Sequence, residues 1–416
     1  MIDLTNLCND KFRLLEYMEL FEEYSDNGPV VKLSQDEMAI ALSLSRHTIK
    51  SMIDDLKSFG YLQDTYNKGK YVITTEGHNA IDILCDGKRK IKASKYKCAS
   101  FFAGVGGIDL GFEKNGFSTI YANEFDPKAI HTYENNFSLK VDNRDIHEIV
   151  EQIENGSDPF INKKFNIVLA GFPCQAFSVA GYREGFEDKK GRGGLFFELM
   201  KIIRFSKPEI VFLENVKNLV GHDNGKTFKI IIEALESENY FIKYSVLNSM
   251  DYGNLPQNRE RIYIVAFKDK NKCEKFRFPF PVNLTNKLNN LINFKKVVNE
   301  KYYYTEKFPH YDELVKNMKS QETAYQWRRV YVRENKNNVC PTLTANMGTG
   351  GHNVPLILTD HGIRKLTPEE CFALQGFPSS YKLPDNIATS YLYKQAGNSV
   401  SVSVIERIAK EILKVI

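Results

Sequence analysis

The stretch Ala170-Gly171-Phe172-Pro173-Cys174-Gln175 follows the short apolar run Phe165-Asn166-Ile167-Val168-Leu169, which has the length and composition of a buried parallel strand. Cys174 therefore falls just past the strand's carboxyl end, the edge of an open α/β sheet at which ligands bind. Pro173 fixes its own φ and removes a backbone donor, and Gly171 lets the chain turn or approach a ligand closely. A lone cysteine is more often an inert small hydrophobe than a nucleophile. Cys174, however, is followed by Gly181, Gly185, Gly191, Gly193 and Gly194, spaced through a polar segment with Arg183, Glu184, Asp188 and Arg192. That is the composition of a lid beside the thiol.

On either side of this stretch the chain reads as alternating strands and helices. Cys98 to Phe102 is a short strand leading into Ala103-Gly104-Val105-Gly106-Gly107-Ile108-Asp109-Leu110-Gly111, a glycine-rich turn at a helix start. Ser118 to Ala122 predicts a second strand, ending at Asn123-Glu124-Phe125-Asp126. An acid at that place commonly binds ribose hydroxyls, and the neighbouring aromatic can stack on a purine. A dinucleotide-binding dehydrogenase is the rival reading, but the glycines do not follow Gly-x-Gly-x-x-Gly, and a nucleoside without a pyrophosphate fits better. Asp145-Ile146 offers an acceptor to an adenine amino group, or is simply solvated. Glu209 to Leu213 ends at Glu214-Asn215-Val216; taken alone, Glu214 reads as a capping or salt-bridged acid. Gln257-Asn258-Arg259-Glu260-Arg261 precedes the strand Ile262 to Phe267. If strand geometry already holds there, Arg259 and Arg261 share one face and Glu260 takes the other. In isolation they are a surface arginine pair.

Composition bounds these readings. At 416 residues the chain can bury a large core and hold more than one domain. Its 42% hydrophobic and 26% charged residues are those of a soluble globular protein. No apolar run reaches membrane-spanning length and the start lacks a secretory pattern, so a cytoplasmic location is expected. Seven cysteines without Cys-x-x-Cys or metal-ligand spacing predict free thiols and no metal. Residues 270 to 360 hold 15 Lys+Arg against 8 Asp+Glu, a local +7 within a chain of net charge +4, which leaves −3 elsewhere. This is either a solvated basic surface or the footprint of a polyanion.

Residues 1–92 read as a separate domain. The pattern predicts a helix from Phe12 to Tyr24, and Ser34-Gln35-Asp36-Glu37 resembles a capped start of a helix reaching Leu42. After Ser43-Leu44-Ser45, a second helix places Ile49, Met52, Ile53 and Leu56 on one face and leaves Arg46, His47 and Lys50 outside. Tyr61 to Asp64 and Tyr71 to Thr74 alternate around Asn67-Lys68-Gly69-Lys70 as a β-hairpin. The set resembles a winged helix-turn-helix, with a packing or dimerisation module as the alternative. Asp86 to Lys92 marks the linker.

Taken together, Phe102-Ala103-Gly104-Val105-Gly106-Gly107, Gly171-Phe172-Pro173-Cys174-Gln175, Glu214-Asn215-Val216, Gln257-Asn258-Arg259-Glu260-Arg261, Arg364 to Cys371 and Gln395-Ala396-Gly397-Asn398-Ser399-Val400 resemble the DNA cytosine-5 methyltransferase family over residues 98 to 416. The resemblance implies an α/β fold: a Rossmann-like S-adenosylmethionine-binding domain over 93–270, a small target-recognition domain inserted at 271–362, and a C-terminal segment, 363–416, completing the catalytic domain. It implies S-adenosylmethionine as cofactor, double-stranded DNA as partner, a monomeric catalytic core, and the modification enzyme of a restriction-modification system. Cys174 is then the nucleophile. Glu214 binds the N3 and amino edge of cytosine, Arg261 contacts O2, and Arg259 a nearby phosphate or loop. The target base is flipped out under the lid, where Arg183 meets DNA. Phe102, Phe125 and Ile146 lie against adenine, Asp145 on its amino group and Glu124 on the ribose. Gly104, Gly106, Gly107 and Gly171 form the cofactor walls, Pro173 lies near the sulfonium, and Asn398 near the methionine end. Arg328, Arg329 and Arg333, Thr342, and the loop containing Gly350 resemble the target-reading segment. The N-terminal domain would add operator contacts through Arg46 and Lys50. Two other readings stand beside this one, a transcription repressor whose N-terminal domain is primary and a relative acting on RNA.

Overall fold

The computed structural model describes residues 9–20, 22–25, 28–31, 33–42, 44–65, 70–84, 96–161, 163–173 and 194–416. Cys174, Arg183, the expected lid up to residue 193 and the hairpin tip at 66–69 lie outside them. The chain divides into two compact units, Met1–Lys90 with Pro378–Lys382, and Ile91–Phe377 with Leu383–Ile416.

In the first unit, α1 (Asn9–Leu20) is followed by β1 (Glu22–Ser25), β2 (Gly28–Val31), α2 (Gln35–Leu42), α3 (Arg46–Ser58), β3 (Leu62–Asp64), β4 (Tyr71–Ile73) and α4 (Thr75–Leu84). The predicted helix from Phe12 to Tyr24 is thus cut short at Leu20. Residues Glu22 to Ser25 pair antiparallel with Gly28 to Val31 instead, because a ladder to β-branched Val30 and Val31 offers those backbone groups partners that a lone helical turn cannot. The hairpin of β3 and β4 forms in the predicted register region, with Leu62 opposite Ile73. Ser34 and Glu37 exchange bonds as a capping box, Ser34 N donating to Glu37 Oε2 at 2.7 Å and Glu37 N to Ser34 Oγ at 3.2 Å. Ser45 Oγ caps α3 by accepting from Thr48 N at 3.0 Å. Ile49, Met52, Ile53 and Leu56 are buried and join Leu14, Leu15, Met18, Tyr61, Ile73 and Ile81 in one core. Arg46, His47 and Lys50 are exposed.

The second unit is built on a six-stranded sheet in the order β6-β5-β7-β8-β10-β9, where β5 is Lys97–Phe101, β6 Ser118–Asn123, β7 Ile167–Ala170, β8 Ile210–Val216, β9 Phe241–Asn248 and β10 Glu260–Phe267. The first four strands are parallel, and β10 runs antiparallel to both of its neighbours. Successive residues of β7 alternate between two cores. Val168 and Ala170 pack with Phe101, Phe172, Phe196 and Leu199 on one face, whereas Ile167 and Leu169 pack with Ile108, Phe112, Val404, Ile405 and Ile408 on the other. A strand covered on both faces must be apolar throughout, which is why the run was readable in sequence. The last helix, Val402–Leu413, covers the second face, and a Cβ at Gly111 would lie 2.6 Å from Ile405 Cγ2, so only glycine lets the two helices close. A smaller antiparallel sheet, β12-β11-β13-β14, is formed by β11 (Tyr325–Arg328), β12 (Tyr331–Glu334), β13 (Leu356–Thr359) and β14 (Gly362–Lys365). Its core comprises Leu314, Met318, Tyr325, Trp327, Leu356 and Ile363. Among the described residues, no helix is long and apolar enough to cross a membrane.

Candidate active site

The carboxyl ends of β5, β6, β7 and β8 bring the predicted groups to one edge. After β5 the backbone turns through Phe102, Gly104 and Gly106, all with positive φ (53°, 56° and 78°), and α5 (Gly107–Glu113) begins. For a phenylalanine this conformation costs about 1 kcal/mol or more, strain of the kind held at ligand sites. The glycines divide by environment. A Cβ at Gly106 would overlap the Phe137 ring, and one at Gly107 would lie 2.7 Å from Ser399 Oγ, whereas Gly104 faces open space. Glu124 is locked by three backbone donors, Gly104 N at 2.8 Å on Oε2 and Phe125 N and Asp126 N at 2.9 Å each on Oε1. The ring of Phe125 is 67% exposed and Ile146 is buried. Asp145 caps α7 (Ile146–Glu154) by accepting from His147 N at 2.9 Å, which leaves its second carboxylate oxygen for another donor.

At the end of β7, Phe172 is buried and Pro173 is exposed. Asn215 Nδ2 donates to Phe172 O at 2.8 Å, so β8 holds the turn that precedes Cys174. This role of Asn215 was not read from sequence, although it adjoins Glu214 there. Glu214 is 8% exposed and lies 3.3 Å from Arg261 Nε, and a Cβ at Gly171 would be 3.6 Å from its Oε2. The acid therefore borders the turn that leads to the thiol. Burial pushes the Glu214 carboxyl up, against the opposing pull of Arg261 and Arg259. Its position opposite Tyr263 of β10 brings it to Arg261, two residues earlier on that strand.

Arg259 and Arg261 diverge in environment. Arg259 is 2% exposed and its guanidinium donates to Leu343 O at 2.6 Å, to Gly397 O at 3.2 Å and to Ser399 O. Of the two partners expected for Arg259, a phosphate or a nearby loop, the structure provides the loop: Arg259 is enclosed and binds backbone, joining the segment around Leu343 to the end of the helix Thr389–Asn398. Glu260 turns the other way and grips Lys217 at 2.8 Å. Thr342 Oγ1 donates to Asn258 O at 2.6 Å, which spends its only proton inside the protein. Arg328, Arg329 and Arg333 are exposed. Arg329 has φ 57° in the two-residue connection between β11 and β12. Cross-strand register puts Arg328 opposite Tyr331 and Gln326 opposite Arg333, so the two arginines share the face away from buried Tyr325 and Trp327. Gly350 has φ 83° in open space. Asn398 is exposed at the end of its helix.

A Rossmann-like sheet with a glycine-rich turn, a fixed acid after the second strand and a carboxylate-arginine pair at the same edge defines an α/β methyltransferase. The fold is similar to that of Spodoptera frugiperda DNMT2 in a mutant crystal structure (TM-score 0.56, 20% identity, 77% of this chain and 100% of that one) and of a putative DNA modification methyltransferase encoded within an E. coli prophage (TM-score 0.56, 20% identity, 77% and 99%). In sequence, the chain is 58% identical over 318 residues to the Type II methyltransferase M.Bsp6I of Bacillus sp. (strain RFL6), covering 76% of this chain and 98% of that protein. It is 37% identical over 328 residues to M.HhaI of Haemophilus parahaemolyticus (75% and 92%). The C-5 cytosine-specific DNA methylase model matches residues 96–414. The chain belongs to that family and is a DNA cytosine methyltransferase.

Proposed function

We propose that this chain transfers the methyl group of S-adenosylmethionine to C5 of a flipped-out cytosine in a specific short duplex site, through a covalent bond between Cys174 and C6, as the modification enzyme of a restriction-modification system. The observation that carries the reading is the buried Glu214–Arg261 pair bordering the Gly171 turn that leads into Cys174. The residues at the sheet edge fit the cofactor: Gly104 leaves room for a close approach, fixed Glu124 keeps acceptor capacity for hydroxyls, exposed Phe125 offers a stacking face, and Asp145 keeps a free oxygen. When bound, the cofactor supplies an electrophilic sulfonium methyl. The Cys174 thiolate adds to C6 and moves electron density to C5, which can then take up the methyl. Glu214, raised by burial, holds a proton at N3 while charge develops on the ring, and Arg261 balances O2. Loss of the C5 proton and departure of the thiolate restore the aromatic ring. The base must leave the duplex for these groups to reach it. Bisulfite sequencing of DNA from a host expressing the protein tests this reading: methylated cytosine in one short motif supports it, and unmodified DNA overturns it. A parallel assay on duplex DNA and transfer RNA separates the RNA-directed alternative.

For the first unit we infer a winged helix-turn-helix that binds operator DNA. The capped α3 with exposed Arg46, His47 and Lys50 and the following β3-β4 hairpin support it. Arg328, Arg329 and Arg333, with the Gly350 loop, suit the target-reading surface in a basic region. Arg183 and the lid belong to the same reading, as do a cytoplasmic location and a monomeric core.

A further inference from the structure

Asp109 has no part in the mechanism above, yet it is completely buried one turn beyond the cofactor loop. Its Oδ2 accepts from Ser100 Oγ at 2.9 Å and its Oδ1 from Tyr133 OH at 3.1 Å. Ser100 lies on β5, two residues before Phe102, and Tyr133 lies on α6 (Pro127–Glu134), the helix that starts after Glu124-Phe125-Asp126. Tyr133 stacks on Phe137 with ring centroids 4.3 Å apart, and both rings wall the position where Gly106 lacks a side chain. One carboxylate thus ties together the strand that enters the glycine-rich loop, the helix that leaves it and the helix whose rings back it.

Resting on the cofactor reading above, we propose that Asp109 is a positioning residue for the cofactor: its two hydrogen bonds set the course of the Phe102–Gly106 loop. Burial raises its carboxyl to about 6, although the bonds from Ser100 and Tyr133 pull it down. An unfolded aspartate releases its proton near about 3.9. Between those values the unfolded chain therefore binds fewer protons than the folded one, and stability falls as pH rises through the window. Ionised Asp109 costs the fold stability at neutral pH, which a group present for stability alone would not do. The groups around it are Cys98 on β5, pushed up by burial and by Asp109 and Glu113; Tyr133 on α6; Thr119 on β6; and, where the last helix packs on α5, the Lys114–Glu406 ion pair at 3.2 Å.

The test is isothermal titration of the full-length protein with S-adenosylhomocysteine between pH 5 and 8, beside thermal melts, for the wild type, Asp109→Asn and Tyr133→Phe. The expected result is that Asp109→Asn melts at the same or a higher temperature at pH 7.5 yet binds about tenfold more weakly, with Tyr133→Phe about threefold weaker. The wild type loses affinity as pH falls through 6, and Asp109→Asn does not. If Asp109→Asn fails to fold, Tyr133→Phe carries the test through its own affinity and the wild type through its pH profile. Unchanged affinity in the variants with no inflection near pH 6, or weakening that only follows a lowered melting temperature, overturns the proposal. Absence of wild-type binding at every pH would count instead against the cofactor reading itself and, with it, this inference.

Discussion

The same local device occurs in both units with different reach. In the first unit, Ser34 and Glu37 close a capping box whose bonds stay within four consecutive residues. In the second, Thr367 and Glu370 close one of the same pattern, Thr367 N donating at 2.8 Å and Glu370 N at 3.3 Å. There, however, Glu370 also takes both guanidinium arms of fully buried Arg364, at 2.7 and 2.6 Å. One box starts a helix; the other also neutralises a buried charge on the strand that leaves the small sheet. The difference shows how far a sequence signature can be trusted: it reports the local turn in both cases, and the energy that hangs on it depends on what the fold brings to its acid.

Substitutions separate the two units by the size of their effects. The largest effect falls on the chemistry of the second unit. Cys174→Ser should lose methyl transfer by at least about 10³-fold while still binding DNA, because a hydroxyl is a far weaker nucleophile at neutral pH; retained turnover would reject the assignment. Glu370→Ala should cost about 3–5 kcal/mol, read as a lowered denaturation midpoint, since it strands a buried guanidinium. Glu214→Gln keeps shape but not proton exchange, and kcat should fall about 10²-fold with little change in DNA affinity. Removal of residues 1–92 should leave methylation of a short duplex within about twofold and weaken gel-shift binding to upstream DNA by about tenfold at low salt. Equal binding of full-length and truncated protein would reduce that unit to a packing module. Smallest of all, Ser34→Ala should cost only about 1 kcal/mol; a loss as large as that of Glu370→Ala would erase the contrast between the two boxes.

Legibility followed the same division. The strand before Cys174 was readable because both its faces are buried, and the Ile49, Met52, Ile53, Leu56 stripe because one helix face is. The β1-β2 hairpin was missed because Glu22 to Tyr24 continue a helical pattern; Asp26-Asn27-Gly28-Pro29 carried the turn signal. Helix α4 was missed as well, its Gly77 weakening the pattern. The structure gives that glycine a reason: a Cβ there would overlap Tyr61 O. For Arg259 the spacing gave a face but not its contents, since three carbonyls from distant segments surround it. Asp109 carries no signal of its own within the glycine-rich stretch; it falls in a helical first turn, and only the packing of β5 and α6 places two hydroxyls on it.

The end of the helix Thr389–Asn398 meets the segment after Thr342 through main chain. A Cβ at Gly397 would overlap the Thr344 carbonyl, and one at Gly348 would overlap Ser390 O. A joint made of backbone takes no account of the side chains that point away from it, so exposed Thr344 and Asn346 can be exchanged without loosening it. Leu343 and Met347, by contrast, are buried beside it and Thr342 bonds Asn258 O, and any side chain at 397 would force it apart. Such a joint lets the exposed positions of the segment proposed to face DNA diversify while the seat that holds them stays unchanged, and it marks glycines 348 and 397 as the positions to carry along when that segment is transplanted between enzymes of this architecture.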